Sequence, residues 1–332
     1  MSRHYNIAIV GATGAVGAEM MKTLEKRNFP VDNLRLLASK NSVGRKLRFK
    51  REEIVVEELT HRSFTGIDIA LFSAGAARSR EFGPAAARAG AVVIDNSSAF
   101  RMDKDVPLVV PEVNPEDSKC HHGIIANPNC TTIIMLVVLK PLYELSRITR
   151  ITVSTYQSAS GAGAKAMEEL QKQAQQVLNG EPVSPDAFPY QIAFNLFSHN
   201  SKIDDSGYCE EERKMINETR KIMHDEAIKI CATAIRVPVF RAHSESVNIE
   251  QERKVSVAEA KAALAQAPGV KIVDDPDKNY FPMPIDVTGT DDVVVGRIRE
   301  DTGHERGLAF FICGDQLLKG AALNAVQIAE LL

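Results

Sequence analysis

The sequence predicts an α/β protein. A Rossmann-like, doubly wound nucleotide-binding domain is followed by an α+β domain with a mixed, largely antiparallel sheet. Three observations carry this. Through about residue 130, short Val/Ile/Leu runs alternate with helical or loop segments, the pattern of a parallel sheet covered on both faces. A glycine-rich turn, GATGAVG at 11–17, joins the first run to the first helical segment. Beyond about residue 145 the runs lengthen, several alternate with period two, and fewer helices separate them.

In order, NIAIV (6–10) reads as a strand, AVGAEMMKTLEKR (15–27) as a helix and NLRLLAS (33–39) as a strand. The runs EIVVEEL, IDIALFSAG, AVVIDNSS, LVVPEV and GIIANPN follow as strands, with an Ala-rich helix near 79–89 and another at 131–145. The second half offers RITVSTYQ, IKICATAIRVPV, ESVNIEQE, DVVVGRIRE and GLAFFICGDQ as strands, with helices near 163–179, 209–223 and 256–267. The Pro- and Phe-rich stretch EPVSPDAFPYQIAFNLFSHN reads as a long ordered loop. A chain of 332 residues is long for one domain. The expected division is 1–132 for the nucleotide and 133–316 for a second, catalytic domain. The amphipathic helix 317–332 is expected to pack back on the first domain.

A 44% hydrophobic composition supports substantial cores, and a net charge of −3 gives no electrostatic reason for nucleic acid or a membrane surface as partner. The longest apolar run, around IIMLVVL, is too short to span a bilayer. No charged region followed by a long apolar stretch opens the sequence. The five cysteines are odd in number and scattered, so a reduced, cytoplasmic protein is expected.

Gly11, Gly14 and Gly17 have the spacing G-x-x-G-x-x-G, and the strand–turn–helix context points to a pyrophosphate at the helix start. A turn that merely packs is the plainer reading. After the second strand no carboxylate is offered for a ribose; Ser39, Lys40, Asn41, Ser42 and Arg45 favour the 2′-phosphate of NADP, although loop lysines are common on any surface. Cys130, in NPNCTT, stands at a strand-to-helix junction, where the dipole lowers a thiol pKa and makes a nucleophile. Cys231 and Cys313, inside strands, read as structural.

A thiol near a nicotinamide suggests a thioester reduced by hydride, which needs a proton shuttle and anchors for charge. His243 and Arg236 in RVPVFRAHSES, Gln157 in STYQSASGAG, Arg101 in DNSSAFR, and Glu211 with Lys214 at i and i+3 on one helix face are the candidates. Each has a plainer reading: a structural histidine, a salt-bridge arginine, a solvated helix pair. An imidazole titrating near ~6.5 is expected for a shuttle. CHH at 120–122 offers no metal spacing, and no metal is expected.

These motifs, with PEVN, VGRIR and LLKGAALNAVQIAE, resemble the aspartate-β-semialdehyde dehydrogenase family over essentially the whole chain. The resemblance implies NADPH-dependent conversion of aspartyl phosphate to aspartate semialdehyde and phosphate, on the route to lysine, threonine and methionine. It implies Cys130 as nucleophile, His243 as acid/base and Gln157 as orienting group. Arg236 and Glu211 would hold the substrate carboxylate and amino group; Arg101, Lys214 and Asn129 would hold phosphate. Thr13, Ala15, Val16, Ser73, Gly75, Ser160 and Gly161 would touch NADP(H), with Asn41, Ser42 and Gln316. The resemblance also makes 133–316 the substrate-binding and dimerisation domain, and implies a homodimer, with a tetramer in some members. Asn41 stands where the family often has Arg, Gln316 where it has Asn, and 197–208 looks individual. An N-acyl-glutamyl-phosphate reductase and an inactive nucleotide-binding paralogue are the alternatives.

Overall fold

The computed structural model describes residues 4–332. The chain divides into two compact units, one running to Asn129 and taking up Ala321–Leu332, the other Cys130–Gly320. The first boundary falls a few residues before the expected one and the second a few residues after it.

Among the described residues the first unit holds seven strands: β1 (Tyr5–Val10), β2 (Val31–Ala38), β3 (Lys46–Phe49), β4 (Glu52–Glu58), β5 (Ile69–Phe72), β6 (Val92–Asp95) and β7 (Ile124–Ala126). Their order is β3-β4-β2-β1-β5-β6-β7, parallel except for the β3–β4 hairpin at the edge. Period-two alternation sends Ile7 and Ile9 to one face and Ala8 and Val10 to the other. The first face is covered by α1 (Ala15–Lys26) and by the C-terminal helix Leu323–Glu330, whose Ala325, Val326 and Ile328 join Met20 and Leu24 in one core. The second face is covered by α2 (Ala76–Arg88), through Ala86, with Phe64 and Phe72.

LVVPEV is not a strand. Pro107 just before it and Pro111 within it remove ladder donors, so it forms a single bridge, Leu108 to Ala126, and turns away.

The second unit is built on β8 (Ile148–Gln157), β9 (Phe197–Ser198), β10 (Lys229–Arg236), β11 (His243–Gln251), β12 (Val270–Ile272), β13 (Val293–Glu300) and β14 (Gly307–Gly314). The order β12-β13-β14-β11-β8-β10-β9 is mixed: β8–β10 and β12–β13 are parallel and the other four pairs antiparallel. Helix α3 (Cys130–Leu145) is buried nearly all round, and packs on this sheet and on α5 (Glu210–Met223) and α6 (Val257–Gln266). Between α3 and α5 runs α4 (Ala164–Leu178); the remaining helices are the short α7 (Pro284–Val287) and the C-terminal α8 (Leu323–Glu330). The opposite face of the sheet is only partly covered, with Thr152 and Cys231 exposed and Tyr156 and Phe311 half-buried. Strand ends of β8, β10 and β11 and the N-termini of α3 and α5 carry the chemistry-bearing residues. No helix is long and apolar enough to cross a membrane among the described residues.

Candidate active site

The nucleotide groove lies in the first unit, beyond the carboxyl ends of β1, β2 and β5. Gly11 has φ +89°, and a Cβ on it would lie 2.4 Å from the Ser73 carbonyl oxygen. Gly17 packs as closely, its would-be Cβ 2.4 Å from the Gly11 carbonyl oxygen. The turn therefore needs glycine at both ends, one for conformation and one for contact. No side chain caps α1 at Gly14, and Ala15, Val16 and Gly17 form its first turn. Gly75, at φ +86°, precedes α2. The groove is lined by Gly11, Thr13, Gly14, Ser39, Ser73 and Arg78. Lys40–Ser42 form a 3-10 turn after β2, tied back by Ser42 Oγ, 3.4 Å from Thr13 Oγ1. Lys40, Asn41 and Arg45 stand exposed beside it.

This cradle fits a dinucleotide: backbone approaches closely, a helix end favours anionic phosphate, and cations flank the second strand. Arg78 was not expected from sequence, because an arginine on the outward face of an Ala-rich helix looks like any solvated residue. Gly11→Ala is expected to lower Tm and to weaken NADP binding at least tenfold, about 1.4 kcal/mol. Equilibrium binding and thermal melting check this, and unchanged affinity would contradict the close-approach reading.

In the same unit Arg101 is buried at the ends of two neighbouring strands. Its Nε donates to the Asn127 carbonyl at 2.9 Å and its Nη2 to the Asn96 carbonyl at 2.8 Å. Asn127 donates to Asn96 Oδ1 at 2.7 Å, and Asn129, also buried, leads directly into Cys130.

In the second unit, Cys130 is the first residue of α3 and half-buried. Gly320 backs it so tightly that a Cβ there would sit 2.8 Å from the Cys130 Cβ. Cys313 is inert, since burial pushes its thiol up to about 12. Cys231 differs from expectation. It lies in β10 but faces outward, 3.7 Å from the Tyr208 hydroxyl, because alternation puts it on the uncovered face. Access therefore does not set Cys130 apart from Cys231; position at a helix N-terminus does.

His243 opens β11 with no exposed surface. The Ser158 backbone N–H, which can only donate, lies 3.1 Å from Nδ1, and the Ser158 hydroxyl 3.0 Å from it. Nδ1 is thus an acceptor and the ring hydrogen sits on Nε2, which has no partner. Burial, helped by Arg236, pushes the imidazole pKa down to about 3. The expected titration near neutrality is therefore corrected. The neutral ring offers Nε2–H as a donor.

Gln316 holds this geometry. Its Oε1 accepts from the Ala242 N–H at 2.9 Å and its Nε2 donates to the Ser160 hydroxyl. Ala242 is left-handed at φ +70°, a conformation costly for alanine and stabilised here by that bond. The amide expected at the nicotinamide thus braces the turn bearing Ser160 and the step into His243. Gly161 follows, where a Cβ would meet His243 Nε2 at 3.1 Å and Arg236 Nη1 at 3.2 Å.

Arg236 ends β10, 3% exposed. Its Nη1 donates to the Ser158 carbonyl at 2.7 Å, its guanidinium lies 5.5 Å from the Phe188 ring centre, and its buried Nε has no partner. Burial lowers its pKa, opposed by the negative charges of Glu211 and Cys130. Gln157 Nε2 reaches Glu211 Oε1 at 3.4 Å, and Lys214 Nζ meets Glu211 Oε2 at 3.0 Å. Glu211 is 6% exposed, so the pair is not the solvated bridge that an i, i+3 spacing most often gives. His199, within the stretch that looked individual, is a second unforeseen residue: its Nε2 lies 3.1 Å from Arg236 Nη2.

A thiol at a helix N-terminus, on a chain that also builds a dinucleotide cradle, belongs to the chemistry of thiol-dependent nicotinamide dehydrogenases. Comparison with known proteins narrows the class. Residues 6–121 match the family described as semialdehyde dehydrogenase, NAD binding domain, and residues 139–319 match semialdehyde dehydrogenase, dimerisation domain. The chain is 57% identical over 326 residues to aspartate-semialdehyde dehydrogenase of Synechocystis sp., covering 98% of this chain and 96% of that protein. It is similar to the crystal structure of aspartate semialdehyde dehydrogenase II of Vibrio cholerae complexed with ASA, at TM-score 0.97 and 46% identity, covering 100% of this chain and 98% of that one. A more distant structure, the enzyme of Candida albicans with NADP, matches at TM-score 0.77 and 26% identity, covering 99% and 98%. The chain belongs to the aspartate-semialdehyde dehydrogenase family. It is an oxidoreductase of amino-acid biosynthesis with NADP(H) as cofactor. Identity over nearly the whole length sets the acyl-glutamyl-phosphate alternative aside.

Proposed function

We propose that the chain converts L-aspartyl 4-phosphate to L-aspartate 4-semialdehyde and phosphate through a thioester on Cys130. The observation that carries the residue roles is a pair of buried donors without partners, Arg236 Nε–H and His243 Nε2–H. Such groups are costly unless a ligand satisfies them. A substrate carboxylate answers the first, and the oxygen of a tetrahedral adduct answers the second.

The thiolate of Cys130 attacks the acyl carbon, the carbon–oxygen bond to phosphate breaks, and phosphate departs. His243 Nε2–H donates to the carbonyl oxygen as it gains charge, which needs no change in the protonation of the ring. Gln157 orients the acyl group, and Glu211 takes the substrate ammonium. Lys214, Arg101 and Asn129 receive the phosphate. Gly11, Thr13, Gly14, Ala15, Val16, Gly17, Ser42, Ser73 and Gly75 would hold NADPH, with Ser160 and Gly161 as the further contacts the family resemblance implies, and the bound cofactor would supply hydride to the thioester carbonyl. Collapse of the resulting alkoxide breaks the carbon–sulfur bond and restores the thiolate.

The half-covered sheet face of the second unit is read as the dimer surface, giving a homodimer, or a tetramer if dimers associate further; light scattering decides. A cytoplasmic location accords with an odd, scattered set of five cysteines and with the biosynthetic role.

The division of anchors is tested in the reverse direction, with aspartate semialdehyde, phosphate and NADP as substrates. Arg236→Ala is expected to raise KM for the semialdehyde at least tenfold, as loss of a charged hydrogen bond of about 1.5–3 kcal/mol requires. Lys214→Ala should act mainly on the phosphate KM. The same pattern from both variants would show that the anchors are wrongly assigned.

A further inference from the structure

We propose that His199 is a positioning residue: it orients the Arg236 guanidinium and couples it to the N-terminus of α5, so that the carboxylate and amino-group anchors are held as one unit. The inference rests on the reading of Arg236 as the carboxylate anchor.

His199 follows β9, the short edge strand that pairs Ser198 and Phe197 with Ile235 and Arg236, and its N–H is bonded to the Ala234 carbonyl at 2.8 Å. The backbone thus sets the imidazole beside Arg236. A guanidinium has only donors, so His199 Nε2, 3.1 Å from Arg236 Nη2, is the acceptor. The ring hydrogen then sits on Nδ1. Two contacts are open to Nδ1, the Ser201 hydroxyl at 3.0 Å and the Ser201 N–H at 3.3 Å. They require opposite states of the nitrogen, and Arg236 decides for Nδ1–H donating to the hydroxyl. That hydroxyl oxygen in turn accepts the Glu211 backbone N–H at 3.2 Å. The chain of bonds runs Arg236, His199, Ser201, Glu211. Together with the Ser158 carbonyl on Nη1 and the Phe188 ring beneath, it leaves Arg236 one orientation.

The link works only with a neutral ring. Burial lowers the His199 pKa; Arg236 and Lys214 lower it further, while Glu211 and Glu212 act in the opposite sense. Acidification removes the acceptor and sets a second cation beside Arg236.

Steady-state kinetics of the full-length enzyme in the reverse direction test this, using His199→Ala, His199→Gln, Arg236→Ala and the double variant His199→Ala/Arg236→Ala. His199→Ala should raise KM for aspartate semialdehyde about tenfold, with KM for phosphate and NADP unchanged. His199→Gln, which keeps an acceptor near the Nε2 position, should recover most of that loss. The double variant should be no worse than Arg236→Ala alone, because both act through one group. As the pH is lowered below the ordinary imidazole range, the semialdehyde KM should rise more in wild type than in His199→Gln. If Arg236→Ala raises KM and His199→Ala does not, or the two effects add, the inference is overturned while the anchor reading stands. If Arg236→Ala itself leaves KM unchanged, the anchor reading fails first. Should His199→Ala not fold, Ser201→Ala and the pH comparison probe the same link: a normal semialdehyde KM in Ser201→Ala with no acid rise in wild type overturns it.

Discussion

Cys130→Ala is expected to reduce turnover to the background of the assay while leaving fold and nucleotide affinity intact. Alanine keeps the Cβ that packs against Gly320, so the N-terminus of α3 has no reason to move. What is lost in the proposed mechanism is the one atom that bonds to the acyl carbon. Cys313 is buried with its thiol raised to about 12, and Cys209 is buried at the start of α5. Loss of a nucleophile in a covalent mechanism typically removes several orders of magnitude from kcat. Activity near that of wild type would dismiss the covalent route, and a large drop in Tm would make the result a folding effect.

His243→Ala is expected to lower kcat by about 10²–10³, the cost of one preorganised donor to a developing oxyanion, with a modest change in KM. His243→Gln, which still offers an N–H, should recover part of that loss. Because the imidazole stays neutral down to about pH 3, the kcat/KM profile of wild type should show no limb between pH 5 and 8 that the glutamine variant lacks. Glutamine as inactive as alanine, together with a lost neutral limb, would mean that proton transfer rather than donation is the role. Stability supplies a control. The unfolded chain takes up a proton near ~6.5 that the folded chain refuses until about 3, so His243 costs stability as pH falls through that window. A destabilised variant with normal kcat would make the histidine structural.

Much of this was legible in the sequence, and the reasons are specific. Parallel strands β1, β5 and β6 are buried on both faces, so their apolar runs are continuous and easy to read. GATGAVG was legible because a tight turn, a close backbone approach and a helix start each demand glycine, and Gly11 and Gly17 meet two of those demands directly. LVVPEV failed because its apolar composition outweighed Pro107 before it and Pro111 within it, each of which removes a ladder donor. EIVVEEL was read as a strand and is β4, but its hairpin partner β3 was missed because KLRF is four residues long and half charged, with the turn at Lys50 in a left-handed conformation that usually announces itself as glycine or asparagine.

Within the site, Cys130, Gln157, Arg236 and His243 stand at strand or helix ends, where position itself suggests function. Their protonation was not legible, because the pKa of His243 depends on burial and on Arg236, which other parts of the chain supply. His199 follows a two-residue strand in an otherwise irregular stretch, and only the folded chain shows that it meets Arg236.

The central claim is the thioester on Cys130. Its most direct test is acid-quench mass spectrometry of the enzyme mixed with aspartate semialdehyde and NADP in the absence of phosphate, so that the acyl group has no acceptor but water. A mass increase of one aspartyl group, mapped to the peptide containing Cys130 and discharged on adding phosphate, is the predicted result. Reduction of NADP in step with phosphate addition, with no adduct on Cys130 or with the adduct on another residue, would contradict it.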